Sequence, residues 1–371
     1  MILNTLAATM IEKGIPPTMD AVRNELITQV TNGQMQFPWD QIDTVSESVF
    51  KIMGGQTKNV AISPTPYKTP VSHAVALKPP VPTKPISWSK AGKEVSGDWP
   101  HPLSAIFDNP DDRDYLYQEL ASMQGILGTN LPPAIDHTTS MSPIKDQRRL
   151  GSCVAFAAAA MKEWQENKEH TEEVKKGKTD HRNNVGYDYS EQWIYYSCKN
   201  IDPWPNMQGT SVRHAMKVLN KIGVPTEKAW PYNDQVIGEP KGWAHLVARW
   251  ATIGSYYRIT TLEEMKNVLV EKGPFVIGML CFAGIFGVGR DGVVPNPNDG
   301  ERILGGHAVC VIGYDDERKL LKFKNSWGTG WGRKGYGYIS YEYVSKYVVD
   351  AWVAVDMAVK PEMLKGAVSL I

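Results

Sequence analysis

A cysteine thiol is a poor nucleophile at neutral pH unless its pKa falls, and a helix N-terminus or a nearby imidazolium achieves that. Of four cysteines, Cys153 meets the first condition. It follows Gly151-Ser152, a tight-turn pair, and opens the alanine-rich run VAFAAAAMKEW. On a helix its thiolate would face the positive end. Most isolated cysteines are buried core residues, so this feature needs a partner. The partner must be a base from far along the chain. Seven of the eight histidines stand in polar, loop-like or helical contexts, where a surface or structural role is the default. His307 differs: it follows Gly305-Gly306 and enters the apolar run AVCVIGYD. There it could project into a cleft, although a satisfied core histidine accounts for it equally well.

Several stretches together resemble the papain-like cysteine peptidases. SPIKDQRRLGSCVAFA is similar to the family's nucleophile region, GGHAVCVIGYD to its histidine strand, and KNSWGTGWGRKGYGYIS to its asparagine segment. LPPAIDHTTSMSPIKDQ resembles the start of the mature enzyme, and YSEQWIYYSC the stretch after the nucleophile helix. The matches keep the family's order across about residues 131 to 357. The resemblance implies Cys153 as nucleophile, supported by the turn Gly151-Ser152, and His307 as its imidazolium partner. Gln147 and the Cys153 backbone N–H would form an oxyanion hole. Asn325 would orient the histidine, Trp327 would cover that bond from water, and the Gly209 backbone would pair with extended substrate. The chain also departs from the family. Val154 stands where a tryptophan usually follows the nucleophile. Leu150 replaces the cysteine that usually bonds to the one matching Cys198. Cys281 and Cys310 lie in apolar runs and read as buried. A fold without that bridge suits a reducing, cytoplasmic setting.

The elements that must position these residues are legible in part. Val22, Leu26 and Val30, then Ile42, Val45, Val49 and Met53, predict a helical module over 1–56 that docks on something else. Residues 57–100 carry Pro64, Pro66, Pro70, Pro79, Pro80, Pro82 and Pro85 and read as an extended arm or linker. Residues 101–130 hold a predicted amphipathic helix over 111–127, with Asp111 and Asp112 at its start. Its predicted apolar face is Leu116, Leu120, Met123 and Leu127. The peptidase domain spans 131–358 and a tail 359–371. Within the domain, VAFAAAAMKEW predicts a buried helix. The charged stretch from about Glu166 to Arg182 reads as a solvated helix end and loop. FVIGML, HAVCVIGYD, KLLKFKNSW and GYGYISY alternate or run apolar between glycines, as in an antiparallel sheet or barrel. The fold class is therefore α+β, with a helical lobe and a β-barrel-like lobe. GTGWGRKGYG reads as glycine turns between strands and not as a phosphate loop. Asp291, Asn296, Asn298 and Asp299 read as a turn-rich loop and not a calcium site.

The 371 residues are 42% hydrophobic, with Lys plus Arg and Asp plus Glu both 40 and a formal net charge of +0. That gives no argument for nucleic acid or an anionic membrane surface, and no apolar run reaches the roughly 18 residues of a membrane span. No cofactor or metal is implied. The expected activity is endopeptidase hydrolysis of protein or peptide substrates. Residues before about 131 would be an inhibitory pro-region whose arm lies in the cleft, or a docking module for a partner. The alternatives are acyl transfer of the transglutaminase or amidase kind on the same residues, or a papain-like fold kept as an interaction module.

Overall fold

The structure is a computed structural model that describes residues 101–126, 130–175, 187–235, 238–240 and 242–356. The helices expected before residue 57, the proline-rich arm and the C-terminal tail lie outside them. In chain order the elements are α1 (Tyr117–Met123), β1 (Ala134–Asp136), α2 (Cys153–Lys175), α3 (Glu191–Ile201), α4 (Val212–Lys221) and α5 (Gly242–Ala248). Then come β2 (Ile253–Arg258), α6 (Leu262–Glu271), β3 (Phe275–Cys281), β4 (Gly305–Asp315), β5 (Leu320–Lys324), β6 (Tyr336–Ser340), α7 (Tyr341–Tyr347) and β7 (Val348–Asp356). The strands form an antiparallel sheet in the order β2-β7-β3-β4-β5-β6, with β1 added on β4.

Two apolar cores flank this sheet. The first gathers α2, α3, α4 and α5, with Val276, Cys310, Ile312 and Trp352 from the sheet. The second gathers the opposite sheet face under α6 and α7, including Phe275, Val309, Phe323 and Tyr343. The expected helical and β lobes are these two units. Alanine lets α2 run through the middle. Every residue from Cys153 to Glu166 is buried, which larger side chains would prevent at such close approach. The charged stretch therefore begins inside the core, where Lys162 Nζ pairs with Glu166 Oε1 at 2.6 Å, and α2 emerges only beyond Glu166. Lys145 ties the same helix to α3, with Nζ 2.8 Å from Glu163 and 2.6 Å from Glu191. Lys324, at the end of β5, donates to Ser142 at 2.7 Å.

The helix expected over 111–127 is much shorter, and its buried face is shifted. Asp111 instead closes a turn, accepting from the Arg113 backbone N–H and guanidinium. Leu116 stays extended as the residue before α1. Tyr117 and Ala121 are the buried pair, and Met123 is 86% exposed. The phase follows Tyr117, whose hydroxyl donates to Asn267 of α6 at 2.5 Å and so draws its side of the helix inward. Gly328, Gly332 and Gly335, at φ +70°, +55° and +89°, form the turns expected of the glycine-rich stretch. Asn296 in the acidic loop is bonded to Glu342 and Ser340. Among the described residues no cluster of His, Cys, Asp and Glu could hold a metal ion.

Candidate active site

Cys153 is the first residue of α2, and the sheet brings β4 alongside it. The Ala308 backbone N–H bonds the Cys153 sulfur, which puts the preceding residue, His307, at the thiol's side. Asn325 follows β5, next to β4 in the sheet. Its Oδ1 lies 2.8 Å from His307 Nε2 and also accepts the Ser326 backbone N–H at 2.8 Å. An oxygen already fixed as acceptor requires Nε2 to donate. The neutral ring therefore carries its proton on Nε2 and leaves Nδ1 as a free base. Nδ1 is buried and without a hydrogen-bond partner among the described residues. Trp327 lies 4.7 Å from the His307 ring, tilted 35°, and Phe286 stacks on the same indole at 5.6 Å. This apolar cover keeps water from the His307–Asn325 bond.

Gln147 is fully buried. Its Oε1 accepts from Ser326 Oγ at 2.6 Å, its backbone N–H donates to the Ser326 carbonyl at 2.8 Å, and its Nε2 donates to the Leu150 carbonyl at 3.1 Å. The turn to Cys153 is closed by Tyr232, whose hydroxyl lies 2.7 Å from both the Gln147 carbonyl and Ser152 Oγ. Gln147, Ser152, Cys153, His307, Asn325 and Trp327 thus share one place in the fold, set by the start of α2 and the neighbouring strands β4 and β5. Gly151 and Gly209 face each other across it. A Cβ on Gly151 would come 3.0 Å from Gly209 N, and Gly209 needs its own lack of a side chain at φ +90°.

The cleft above these residues is filled by the chain itself. Ser104 reaches the Cys153 sulfur with both side chain and backbone. Its carbonyl stands 1.7 Å from where a Gly209 Cβ would be, and its Oγ 2.6 Å from a Gly151 Cβ. The Ala105 N–H donates to the Gly306 carbonyl at 2.8 Å, and the Ile106 N–H to the Thr210 carbonyl at 3.0 Å. Both pairings are parallel bridges, Ser104 with Gly306 and Ile106 with Ser211. Leu103 fits over Gly305, and Phe107 over Gly306 and Gly278. At the other end His101 stacks on Trp327 at 5.3 Å and bonds Asp146 at 2.8 Å. With the segment docked, the Gly209 N–H donates to the Tyr195 hydroxyl and its carbonyl accepts from Lys199, and the segment pairs at Thr210 and Ser211.

This cover reverses the electrostatics anticipated for the pair. Burial lowers the His307 pKa to about 4, against the support of Asn325 and with help from His101. Burial also raises the Cys153 thiol above its ordinary value, outweighing the hydrogen bonds from Ala308 and Ser104. Under the segment, burial thus favours the neutral thiol and the neutral imidazole over the charged pair. Desolvation penalises both charges and outweighs the helix end.

Residues 131–355 match the family described as papain family cysteine protease. The chain belongs to that family. An uncharacterised peptidase C1-like protein of Acanthamoeba polyphaga mimivirus is 32% identical over 223 residues, 56% of this chain and 68% of that protein. Chymopapain from Carica papaya is 28% identical over 246 residues, 61% of this chain and 57% of that protein. The crystal structure of xylellain, a cysteine protease from Xylella fastidiosa, has a TM-score of 0.57 at 28% identity. It covers 69% of this chain and 96% of that one. The α+β papain fold is thus shown by sequence and by structure.

All four cysteines are free and buried, Cys198 included. Sequence reasoning missed Ser326, which braces Gln147, and the whole covering segment from His101 to Asp108. Ser326 carries a signal in hindsight, since it sits beside Asn325 in the matching asparagine segment. HPLSAIFD carries none, because its conformation is set by glycines at 151, 209, 305 and 306, far away in sequence.

Proposed function

We propose that the chain is a cysteine peptidase held latent by its own residues 101–108. The observation that carries this reading is one place in the fold with two occupants. Cys153, His307, Asn325 and Gln147 meet there, and Leu103–Phe107 lies across them as an extended chain. A groove that pairs with extended backbone on two walls is built to take peptide. Once the segment leaves, water returns and the burial that keeps the pair neutral is relieved. The Cys153 thiolate attacks a peptide carbonyl carbon, and the C=O electron pair moves to oxygen. Gln147 Nε2 and the Cys153 N–H hold that oxyanion, for which Nε2 must turn from Leu150. His307, having taken the thiol proton at Nδ1, gives it to the departing amine as the C–N bond breaks. Water, deprotonated by His307, then opens the thioester and releases the acid.

Sequence reasoning left the proline-rich arm either in the cleft or as a tether, and that arm lies outside the described residues. Leu103–Phe107, just past the prolines, fills the groove. The test is hydrolysis of a quenched peptide after the chain is cut in the exposed loop 109–113. Cys153→Ala should abolish cleavage, and Gln147→Ala should lower kcat roughly 10²–10³-fold, the usual cost of one oxyanion donor. Unchanged kcat in Gln147→Ala would refute its assigned role.

A further inference from the structure

Where the covering segment leaves the cleft, Asp108 enters a receptor built for a carboxylate. It is 6% exposed. Its Oδ1 accepts from Ser211 Oγ at 2.7 Å and from Arg213 Nη1 at 3.3 Å, and its Oδ2 accepts the Arg213 backbone N–H at 2.9 Å. Ser211 is the N-cap of α4, so the helix end adds positive potential to these donors. Two other carboxyls face the receptor. Asp114 takes Arg213 Nε at 3.0 Å and Nη2 at 2.6 Å, and also Arg258 Nη1 at 3.2 Å. That fork fixes the Arg213 plane and leaves Nη1 for Asp108. Asp350 of β7 accepts the Asp108 N–H at 3.0 Å. Burial, and then the Asp108 charge, push Asp350 up to about 7, so it competes weakly as an anion.

Asp114 precedes α1, whose Tyr117 and Ala121 belong to the core, and Leu116 is bridged to Arg258 of β2. It stays when residues 101–108 depart. The receptor then faces the cleft with its donors oriented, two guanidiniums nearby and Asp114 as the carboxyl bonded to both. A part-buried guanidinium short of an anion is costly, so the vacated receptor favours an incoming carboxylate. We propose that Ser211 Oγ, the Arg213 N–H and the Arg213 guanidinium form an acid-selective subsite of the substrate cleft, filled by Asp108 while the segment is docked. Asp108 lies four residues from Ser104, roughly 13 Å of extended chain. The subsite therefore selects peptides with an acidic side chain about four positions from the scissile bond. This rests on the peptidase reading and adds the substrate class.

The test uses the full chain carrying Asp108→Ala and then cut within 109–113 to release the segment, which empties the receptor and leaves the catalytic set untouched. Quenched peptides carry Glu or Gln at each position from two to five residues on either side of the scissile bond. At one position Glu should exceed Gln about tenfold in kcat/KM, and Arg213→Met added to Asp108→Ala should bring that ratio near one. If the arginine variant does not fold, the Glu-to-Gln comparison in Asp108→Ala alone still decides. A ratio near one at every position, with the peptides cut, overturns the subsite and leaves Asp108 only an anchor. If no peptide is cut, the peptidase reading fails separately. Fluorescence anisotropy of the same peptides on the same protein then decides: about tenfold tighter binding of Glu supports the subsite, and equal or no binding overturns it.

Discussion

His307 joins two requirements that pull apart. As a base it needs a free Nδ1 and a fixed ring, which Asn325 supplies through a bond already shared with the Ser326 N–H. As an acid it must hold a proton, and burial under the segment prevents that by lowering its pKa to about 4. Cys153 is raised by the same burial. The sign follows. A raised thiol keeps its proton to higher pH, and a lowered imidazole stays uncharged down to about 4. Alkylation of the intact chain by iodoacetamide should therefore climb only on the alkaline side of an ordinary thiol. After removal of the segment, alkylation should already be fast at about pH 5, where a thiolate–imidazolium pair persists. Rate–pH curves before and after cutting check this, and superimposable curves would contradict it. The same residues show what sequence makes legible. Cys153, His307 and Asn325 stand in contiguous motifs at element ends and could be named from them. Their protonation could not be named, because it depends on desolvation by a segment some 50 to 220 residues away.

At the scale of elements, glycine makes the groove. Gly305 and Gly306 open β4, and Gly209 faces them across the cleft, so backbone can approach backbone. A Cβ on Gly305 would stand 2.6 Å from the Leu103 carbonyl and 2.7 Å from Leu103 Cβ, with no positive φ to complicate the change. Gly305→Ala should therefore loosen the segment and speed labelling of Cys153, while thermal unfolding shifts little. Tyr117 makes the opposite point. It is 0% exposed and bonded to Asn267, so α1 is a core element of the folded unit. Tyr117→Ala should cost about 3 kcal/mol in denaturant unfolding, as for other large buried aromatics. Strands β3 to β6 were legible as apolar runs between glycines. Strand β7 was not, because Asp350 breaks its pattern, nor was β2, whose middle residues are only half-buried or exposed. The phase of α1 escaped because Tyr117 follows a hydrogen-bond partner on α6, whereas the sequence pattern pointed to Leu116, Leu120 and Met123.

At the scale of the whole molecule, one chain supplies both the groove and what fills it, and the two part at a definite place. His101 to Asp108 are held by hydrogen bonds, ring stacking, one buried carboxylate and the packing of Ala105, Leu103 and Phe107 on the two cores. Residues from Tyr117 onward are held by the core. Between them, Asn109, Pro110, Asp112 and Arg113 are exposed. A cut there would free the covering segment without removing α1. A cut near residue 130 would also free α1, and the exposed seat of Tyr117 would destabilise what remains. The most direct measurement is therefore labelling of Cys153 by a substrate-like thiol-reactive peptide, on the intact chain and on the same chain cut within 109–113. The account predicts slow labelling before the cut, many-fold faster labelling after it, and loss of the fast reaction in His307→Ala. Equal rates before and after, with the cut segment shown to have dissociated, would contradict it.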